Sequence, residues 1–290
     1  MAGYCQSASG AKVIIKKLKM INSNQLCPVL FIPHGGGPLP LLGDESHLAL
    51  VSFLKEITLS LPLPSSILII SAHWEEDKVT ITNGKRPSLI YDYYGFPKET
   101  YQIEYPAPGD PVLADKIYKL FQDSGIEAKL DEQRGFDHGM FVPLKIMFPE
   151  AEIPCVQLSL INNLDPESHF KLGKALSKLR KENMLIIGSG FTFHNMQALM
   201  SQNSGVDFKN EEFEQWLIDT CTNPNYSPSL QEQKLIEWSE APFARYCQPR
   251  EEHLLPLHVC AGVSGSTAKL VFEGKVAGKK TSAFLWNDFT

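Results

Sequence analysis

The 290-residue chain lacks the features that mark several large classes of protein. It has no apolar run near the roughly 20 residues that a membrane span needs. Lysine and arginine total 27 against 33 aspartate and glutamate residues, and the net charge of −6 leaves no chain-wide basic surface for nucleic acid. The six cysteines form no C-x-x-C pair, which argues against a thiolate zinc site or a disulfide framework. We therefore expect reduced thiols, a cytoplasmic location, and no membrane or nucleic-acid partner.

The sequence does contain enough apolar material for a sizeable core, since 43% of its residues are hydrophobic. Residues 1–26 differ from the rest because they carry four lysines and no acidic residue. Their apolar piece, residues 13–15, is too short for a secretory signal. We predict that residues 1–26 form a mobile N-terminal extension and that residues 27–290 form one domain.

Short apolar runs alternate with helical patterns along this domain. The runs are continuous, as expected for strands covered on both faces, and fall at residues 29–32, 67–71, 156–160 and 185–188. Aspartate followed by proline, a helix start signal, occurs at Asp110 and Asp165. Further helices are predicted over 208–221 and 252–261, the latter interrupted by Pro256, and late strands over 269–272 and 279–286. The alternation predicts an α/β fold, a single domain with a largely parallel central sheet flanked by helices.

Histidines stand close to the ends of these predicted elements. Three follow a strand, a fourth lies at the start of a helix and a fifth lies before a glycine: His34, His73 and His194, then His253, then His138. In open α/β sheets the functional groups gather beyond the carboxyl ends of the strands. Histidine is the commonest metal ligand, and catalytic metal sites commonly take about three protein ligands. A single histidine is more often structural, so the prediction of a metal site depends on the joint pattern.

Other chemistries find less support. Gly188-Ser189-Gly190 has the wrong spacing for the nucleophile elbow of serine hydrolases. Ser71 and His73 share a strand face, yet no carboxylate follows at a place that would complete a triad. The aromatic loop at residues 91–97 fits a packed surface loop or the wall of a pocket for an aromatic ligand.

A set of short strings occurs in order from about residue 28 to the C-terminus. They are IPHGGGP at 32–38, SAHW at 71–74, FDHG at 136–139, PL at 143–144, VQLSL at 156–160, GSG at 188–190 with HN at 194–195, and REEHLLPL at 250–257. As a set they resemble the class III extradiol ring-cleavage dioxygenases, and within that class the 4,5-DOPA extradiol dioxygenase type. Residues 1–26 lie outside the resemblance.

The resemblance implies a non-haem divalent metal ion and the cleavage of a catechol ring by O2 to a muconic semialdehyde. A DOPA-like catechol and O2 would be the partners, and the protein would be a monomer or small homo-oligomer. By match of motif, His34, His73 and His253 are metal ligands. His194 matches a residue that is either a further ligand or the catalytic acid–base. His138 matches a residue that contacts the substrate, and it is the second candidate for the acid–base.

One departure concerns the third ligand. Non-haem Fe(II) oxygenases usually present two histidines and one carboxylate, and relatives in the wider extradiol class use glutamate. Here His253 occupies that position, with Glu251 and Glu252 beside it. An all-histidine site suits Zn(II) as well as Fe(II). Two alternatives to the dioxygenase therefore remain open: a zinc-dependent hydrolase with Glu252 as base, and a non-catalytic relative that binds metal or catechol.

Overall fold

An eight-stranded sheet forms the centre of the computed structural model, which describes residues 26–200 and 206–287. In chain order the strands are β1 Val29–Pro33, β2 Ser66–Glu76, β3 Val79–Thr82, β4 Ala128–Asp131, β5 Cys155–Ile161, β6 Met184–Gly190, β7 Lys269–Val276 and β8 Lys279–Trp286. Their order across the sheet is β4-β3-β5-β2-β6-β1-β8-β7. The central block β5-β2-β6-β1 is parallel, and the antiparallel pairs β3–β5, β1–β8 and β7–β8 lie on either side of it.

Helices flank this sheet, which confirms the predicted α/β fold. In the described residues they are α1 Leu48–Ser60, α2 Pro111–Asp123, α3 His138–Met147, α4 Pro166–Leu176, α5 Met196–Leu199, α6 Phe208–Thr222, α7 Pro228–Ile236, α8 Ala244–Cys247 and α9 Leu255–Ser264. The two predicted start signals act as expected. The Asp110 carboxylate accepts a hydrogen bond from the backbone N of Leu113 at 3.0 Å, and that of Asp165 accepts one from the backbone N of Ser168 at 2.8 Å.

The structure corrects two predictions about elements that carry histidines. His73 does not follow a strand but lies inside β2, in the stretch where the pairing with β5 shifts register between Ile70 and Glu75. The helix predicted over 252–261 begins only at Leu255. Pro256 does not interrupt this helix, because it occupies the first turn, where its missing N–H costs no hydrogen bond.

Several elements have no counterpart in the predictions. They are the helices α1, α3, α5, α7 and α8 and the short strands β3 and β4. In α3 nine of the ten residues are buried, so its apolar side chains show no one-sided helical stripe that the sequence could reveal. The strands β3 and β4 have four residues each, which is too short for a clear alternating pattern.

The end of β6 brings distant parts of the chain together. The backbone N of His34 donates to Gly190 O at 3.2 Å, and the backbone N of Phe191 donates to His253 O at 2.9 Å. A Cβ added at Gly190 would lie 2.2 Å from His253 O, so only glycine allows this approach. The segments that carry His34 and His253 are thereby anchored to the same strand end.

Two further expectations concern the termini and the membrane. The mobile extension was predicted for residues 1–26, all but Leu26 of which lie outside the described part of the chain. It stays a prediction, together with the domain boundary after it. No helix in residues 26–200 and 206–287 has the length and apolar character that crossing a bilayer requires.

Candidate metal centre and active site

Three histidines from separate segments face one another at the carboxyl ends of the central strands. His34 follows β1, His73 lies in β2, and His253 precedes α9. The Nε2 atoms of His34 and His73 are 3.0 Å apart. One ring nitrogen from each of the three histidines lies within 4.8 Å of the others. The structure thus brings together the three residues that the sequence suggested as ligands.

In His34 and His253 the second ring nitrogen is held by a neighbouring side chain. The Ser189 hydroxyl donates to Gly139 O at 2.5 Å, so it accepts from the Nδ1–H of His34 at 3.1 Å. A carboxylate oxygen of Glu252 accepts from Nδ1–H of His253, also at 3.1 Å. These contacts fix the protons on Nδ1 and leave Nε2 with a free lone pair, the arrangement found in metal-binding histidines.

Burial keeps the imidazoles neutral. It lowers the pKa of His34 and of His73 well below its usual range, and the neighbouring histidines lower both further. Burial, followed by the adjacent His194, lowers the pKa of His253 to about 3. The buried Nε2 of His253 has no hydrogen-bond partner among the described residues. Three neutral imidazoles, of which His253 has an unpartnered Nε2, fit a divalent metal ion, whose charge would compensate that orphaned acceptor.

Glu252 ties His194 to this group. One carboxylate oxygen, Oε1, lies 3.1 Å from Nδ1 of His253 and 3.2 Å from Nδ1 of His194. The two imidazole rings stack with centroids 3.3 Å apart. Burial alone would raise the pKa of Glu252, yet the hydrogen bonds from the two histidines outweigh it and hold the pKa well below its usual range. Glu252 is therefore an ionised acceptor that orients both rings.

Arg250 and Glu75 support Glu252 from the solvent side. Nη1 of Arg250 forms an ion pair with Oε2 of Glu252 at 3.3 Å. The same guanidinium makes a two-pronged contact with the Glu75 carboxylate, at 2.6 Å for both hydrogen bonds. Because Glu75 lies in β2 just after His73, this ion-pair chain links the strand that carries one candidate ligand to the segment that carries another.

His138 lies on the opposite side of His73, with ring centroids 3.9 Å apart. Asp92 accepts from the backbone N of His138 at 2.9 Å and from its Nδ1–H at 2.8 Å. Burial opposes ionisation of Asp92, but the hydrogen bonds from His138 outweigh it and lower the pKa of the carboxyl. The Nε2 atom of His138 is therefore the basic nitrogen that remains for a ligand.

A cavity of about 390 Å³ opens above these rings. His34, His73, His138, His194 and His253 all line it. The rest of its lining is mainly apolar and includes Leu39, Tyr93, Phe96, Phe191, Met196 and Leu199. A site of this size that joins apolar walls to a few convergent polar groups is typical of small-molecule binding.

Known proteins that resemble the chain point to the same chemistry. Residues 42–283 match the family described as the catalytic LigB subunit of aromatic ring-opening dioxygenase. The chain belongs to this family. The match begins after His34, so that residue's place in the site comes from the structure and from the motif at residues 32–38. LigB membership confirms the resemblance to class III extradiol dioxygenases and makes the chain an enzyme of the ring-opening dioxygenase type.

Individual relatives cover most of the chain. A protein named dioxygenase tasH, from Hapsidospora irregularis, is 40% identical over 263 residues, which are 84% of this chain and 80% of that protein. A 4,5-DOPA dioxygenase extradiol from Portulaca grandiflora is 40% identical over 245 residues, 82% of this chain and 87% of the relative. The crystal structure of an uncharacterized Escherichia coli K12 protein, JW3007, superposes with a TM-score of 0.72 at 26% identity, covering 89% and 99% of the two chains.

Sequence reasoning missed the side chains that orient the histidines. Asp92, Ser189 and Arg250 were not singled out for this role, although each lies within a string that was. Asp92 is the one charged residue of the aromatic loop at residues 91–97, and that was a usable signal. In the structure this loop is both packed and part of a pocket wall. Tyr91 packs against the core, and Tyr93 lines the cavity beside the histidines.

Proposed function

We propose that the enzyme is a metal-dependent extradiol dioxygenase that opens the ring of a catechol with O2 to give a muconic semialdehyde. Both atoms of O2 enter the product, one ring C–C bond beside the hydroxyl groups breaks, and no external reductant is consumed. The observation that carries the proposal is the convergence of three neutral imidazoles in the lining of a mainly apolar cavity, where the buried Nε2 of His253 has no hydrogen-bond partner among the described residues.

Within this proposal His34, His73 and His253 hold the metal ion, and His194 lies beside them as a further ligand or as the acid–base. A bound Fe(II) ion supplies the electron transfer by which the catechol reacts with O2. Zn(II) suits the same ligands but is redox-inert, so we expect a zinc-loaded form to bind catechol without opening it. Because two relatives are named 4,5-DOPA dioxygenase extradiol, DOPA is the catechol with which other candidate substrates are compared.

Two histidines are suited to moving protons. Asp92 holds Nδ1–H of His138 at 2.8 Å, so the Nε2 lone pair of His138 can accept a proton from a catechol hydroxyl. Glu252 holds His194 in the same manner at 3.2 Å. We assign His194 as the first candidate for the general acid–base and His138 as the second, with His138 also contacting the substrate.

The hydrolase alternative has less support from the site. It requires Glu252 as a base for a metal-bound water. One oxygen of Glu252 already accepts from two imidazoles and the other pairs with Arg250. The low pKa that results makes this carboxylate a poor proton acceptor near neutral pH.

Oxygen uptake tests the proposal. Protein purified without oxygen is loaded with Fe(II), and a panel of catechols is added while O2 and the visible absorbance of the product are recorded. We expect one O2 consumed per catechol in the Fe(II) form and none in the metal-free and Zn(II) forms. Stoichiometric Fe(II) without oxygen uptake on any catechol would refute the dioxygenase, and ester or amide turnover with Zn(II) would support the hydrolase instead.

Metal content tests the ligand set. His34→Ala removes one of the three candidate ligands, so we expect it to abolish stoichiometric metal binding. His169 is the matched control, since it is equally buried but contacts Ile161 and Asp165 away from the cavity. We expect His169→Gln to keep its metal. Equal metal content in the two variants would remove His34 from the ligand set.

A further inference from the structure

Besides the histidines, the cavity is lined by a set of apolar and aromatic side chains. We define the apolar wall as Leu39, Tyr93, Phe96, Met196, Leu199 and Met200. Met196 and Met200 are 47% and 75% exposed, so this end of the wall reaches the cavity mouth. A catechol whose hydroxyl groups face the histidines would point its ring substituent along this wall.

Hydrogen bonds and ring contacts position parts of the wall. The Tyr93 hydroxyl donates to Thr100 O at 2.6 Å, so the polar atom of this side chain is already engaged. Its ring packs edge-on against Phe96 with centroids 5.5 Å apart, and against His138 at 5.7 Å. For the methionine end of the wall, Asn195 caps α5 by accepting from the backbone N of Ala198 at 3.0 Å and donates to Tyr246 O at 2.8 Å.

The described lining of the cavity is poor in charged residues. Among the described residues that line it, none is lysine or arginine, and the one acidic residue is Asp92. Two arginines of the ion-pair network around the site are already paired with carboxylates. Arg250 pairs with Glu75 and Glu252, and Arg134 pairs with Asp137 at 3.2 Å. Residues 201–205, which follow the wall in the sequence, include no charged residue.

A carboxylate on the substituent would therefore lose its water without gaining a lysine or arginine as a partner. Moving an ionised carboxylate out of water is costly unless it is paired. The amino acid DOPA carries such a group, whereas an alkyl substituent would gain from the apolar wall. Burial of one methylene favours binding by about fourfold, since it is worth about 0.8 kcal/mol.

We propose that the preferred substrate is a catechol with an uncharged, apolar ring substituent, such as an alkyl chain, and that DOPA is a poor substrate. This rests on the proposed ring-opening function and narrows it to a class of catechols. The apolar wall is the specificity-determining surface, and the lack of lysine and arginine in the described lining is what disfavours the amino-acid group.

The test compares four catechols of similar length on the Fe(II)-loaded enzyme: 4-propylcatechol, 3-(3,4-dihydroxyphenyl)propionate, 2-(3,4-dihydroxyphenyl)ethylamine and DOPA. We expect kcat/KM for 4-propylcatechol to exceed that for the propionate and for DOPA by about tenfold or more. A higher value for DOPA, the propionate or the amine would overturn the substrate class while leaving the dioxygenase intact. Failure to open any of the four would overturn both.

A variant tests whether the apolar wall is responsible. Met196→Arg places a cation at a half-exposed position of the wall, where folding tolerates a long side chain. We expect the ratio of kcat/KM for the propionate over 4-propylcatechol to rise about tenfold or more, because the carboxylate then has a partner. Met196→Gln, which adds polarity without charge, should change the ratio far less.

Leu59→Arg provides the control for added charge. Leu59 is 72% exposed on α1 and does not line the cavity, so the same charge change there should leave the ratio unaltered. If Met196→Arg and Leu59→Arg gave the same ratio as the unaltered enzyme, the substituent would not contact this wall and the specificity proposal would fail.

Discussion

Glu252 is a single residue on which the geometry of two imidazoles depends. Its Oε1 accepts from both His253 and His194, which fixes the tautomer of each ring. Glu252→Gln keeps the shape of the side chain but removes the charge that holds both protons on Nδ1. Because changes of this kind commonly weaken metal binding by about 10–100-fold, we expect a loss of that size in a competitive chelator titration with Zn(II).

Glu251→Gln is the matched control for this prediction. Glu251 is adjacent in the chain, and its carboxylate pairs at 2.6 Å with Arg245, away from the histidines. We expect this variant to bind metal as the unaltered protein does. If the two variants bound metal equally well, Glu252 would have no orienting role.

A variant of His194 distinguishes a metal ligand from a general acid–base at this position. It contacts Glu252 and stacks on His253, but it is not part of the group formed by His34, His73 and His253. We expect His194→Ala to keep most of its metal and to lose about 10²–10⁴ in turnover, the usual contribution of a positioned acid–base. Metal titration and single-turnover ring cleavage on this variant check it, and metal content that falls in step with activity would mark His194 as a ligand.

At the scale of elements, the contact between α6 and β8 contains a buried carboxyl group. Glu214 in α6 accepts a hydrogen bond from the Ser282 hydroxyl in β8 at 2.7 Å, and burial raises its pKa from 4.5 to about 7. The folded state therefore holds this proton more tightly than the unfolded state does. Its stabilising effect is complete below pH 4.5 and is lost as the pH rises through about 7.

Glu214→Gln should remove this part of the pH dependence. The amide oxygen can still accept from Ser282, and no charge is buried at high pH. We expect the unfolding free energy of the variant to gain on that of the unaltered protein by up to about 3 kcal/mol between pH 4.5 and 8. Denaturant unfolding at several pH values measures it. Glu212 lies on the exposed side of α6, so Glu212→Gln should leave the pH dependence of the unfolding free energy unchanged. If Glu214→Gln also left it unchanged, the buried carboxyl would not titrate in this range.

At the scale of the whole molecule, the first residues can be removed as a test of the domain boundary. Residues 1–19 lie before the first buried strand and outside every matched motif. We expect their deletion to leave the melting temperature and ring-opening activity nearly unchanged. A large fall in melting temperature would mean that this segment packs against the body of the enzyme.

Local patterns in the sequence predicted much of the fold. Buried parallel strands read as continuous apolar runs, and aspartate–proline pairs start helices by chemistry that acts within four residues. Such signals located β1, β2, β5, β6, α2 and α4. They failed for α3, whose burial on all sides removes the helical period, and for the two four-residue strands β3 and β4.

The candidate site also has features that the sequence predicts and features that only the fold decides. The sequence by itself determined which five histidines are candidates, because strand ends and short motifs are local features. The tertiary structure alone decided what orients them: Asp92 is 46 positions from His138, and Glu252 reaches His194 only through the fold. It also decided that His253 approaches β6 at Gly190, where a side chain would not fit. Hydrogen bonds between residues distant in the chain depend on which elements the fold brings together, and no local pattern in the sequence records that arrangement.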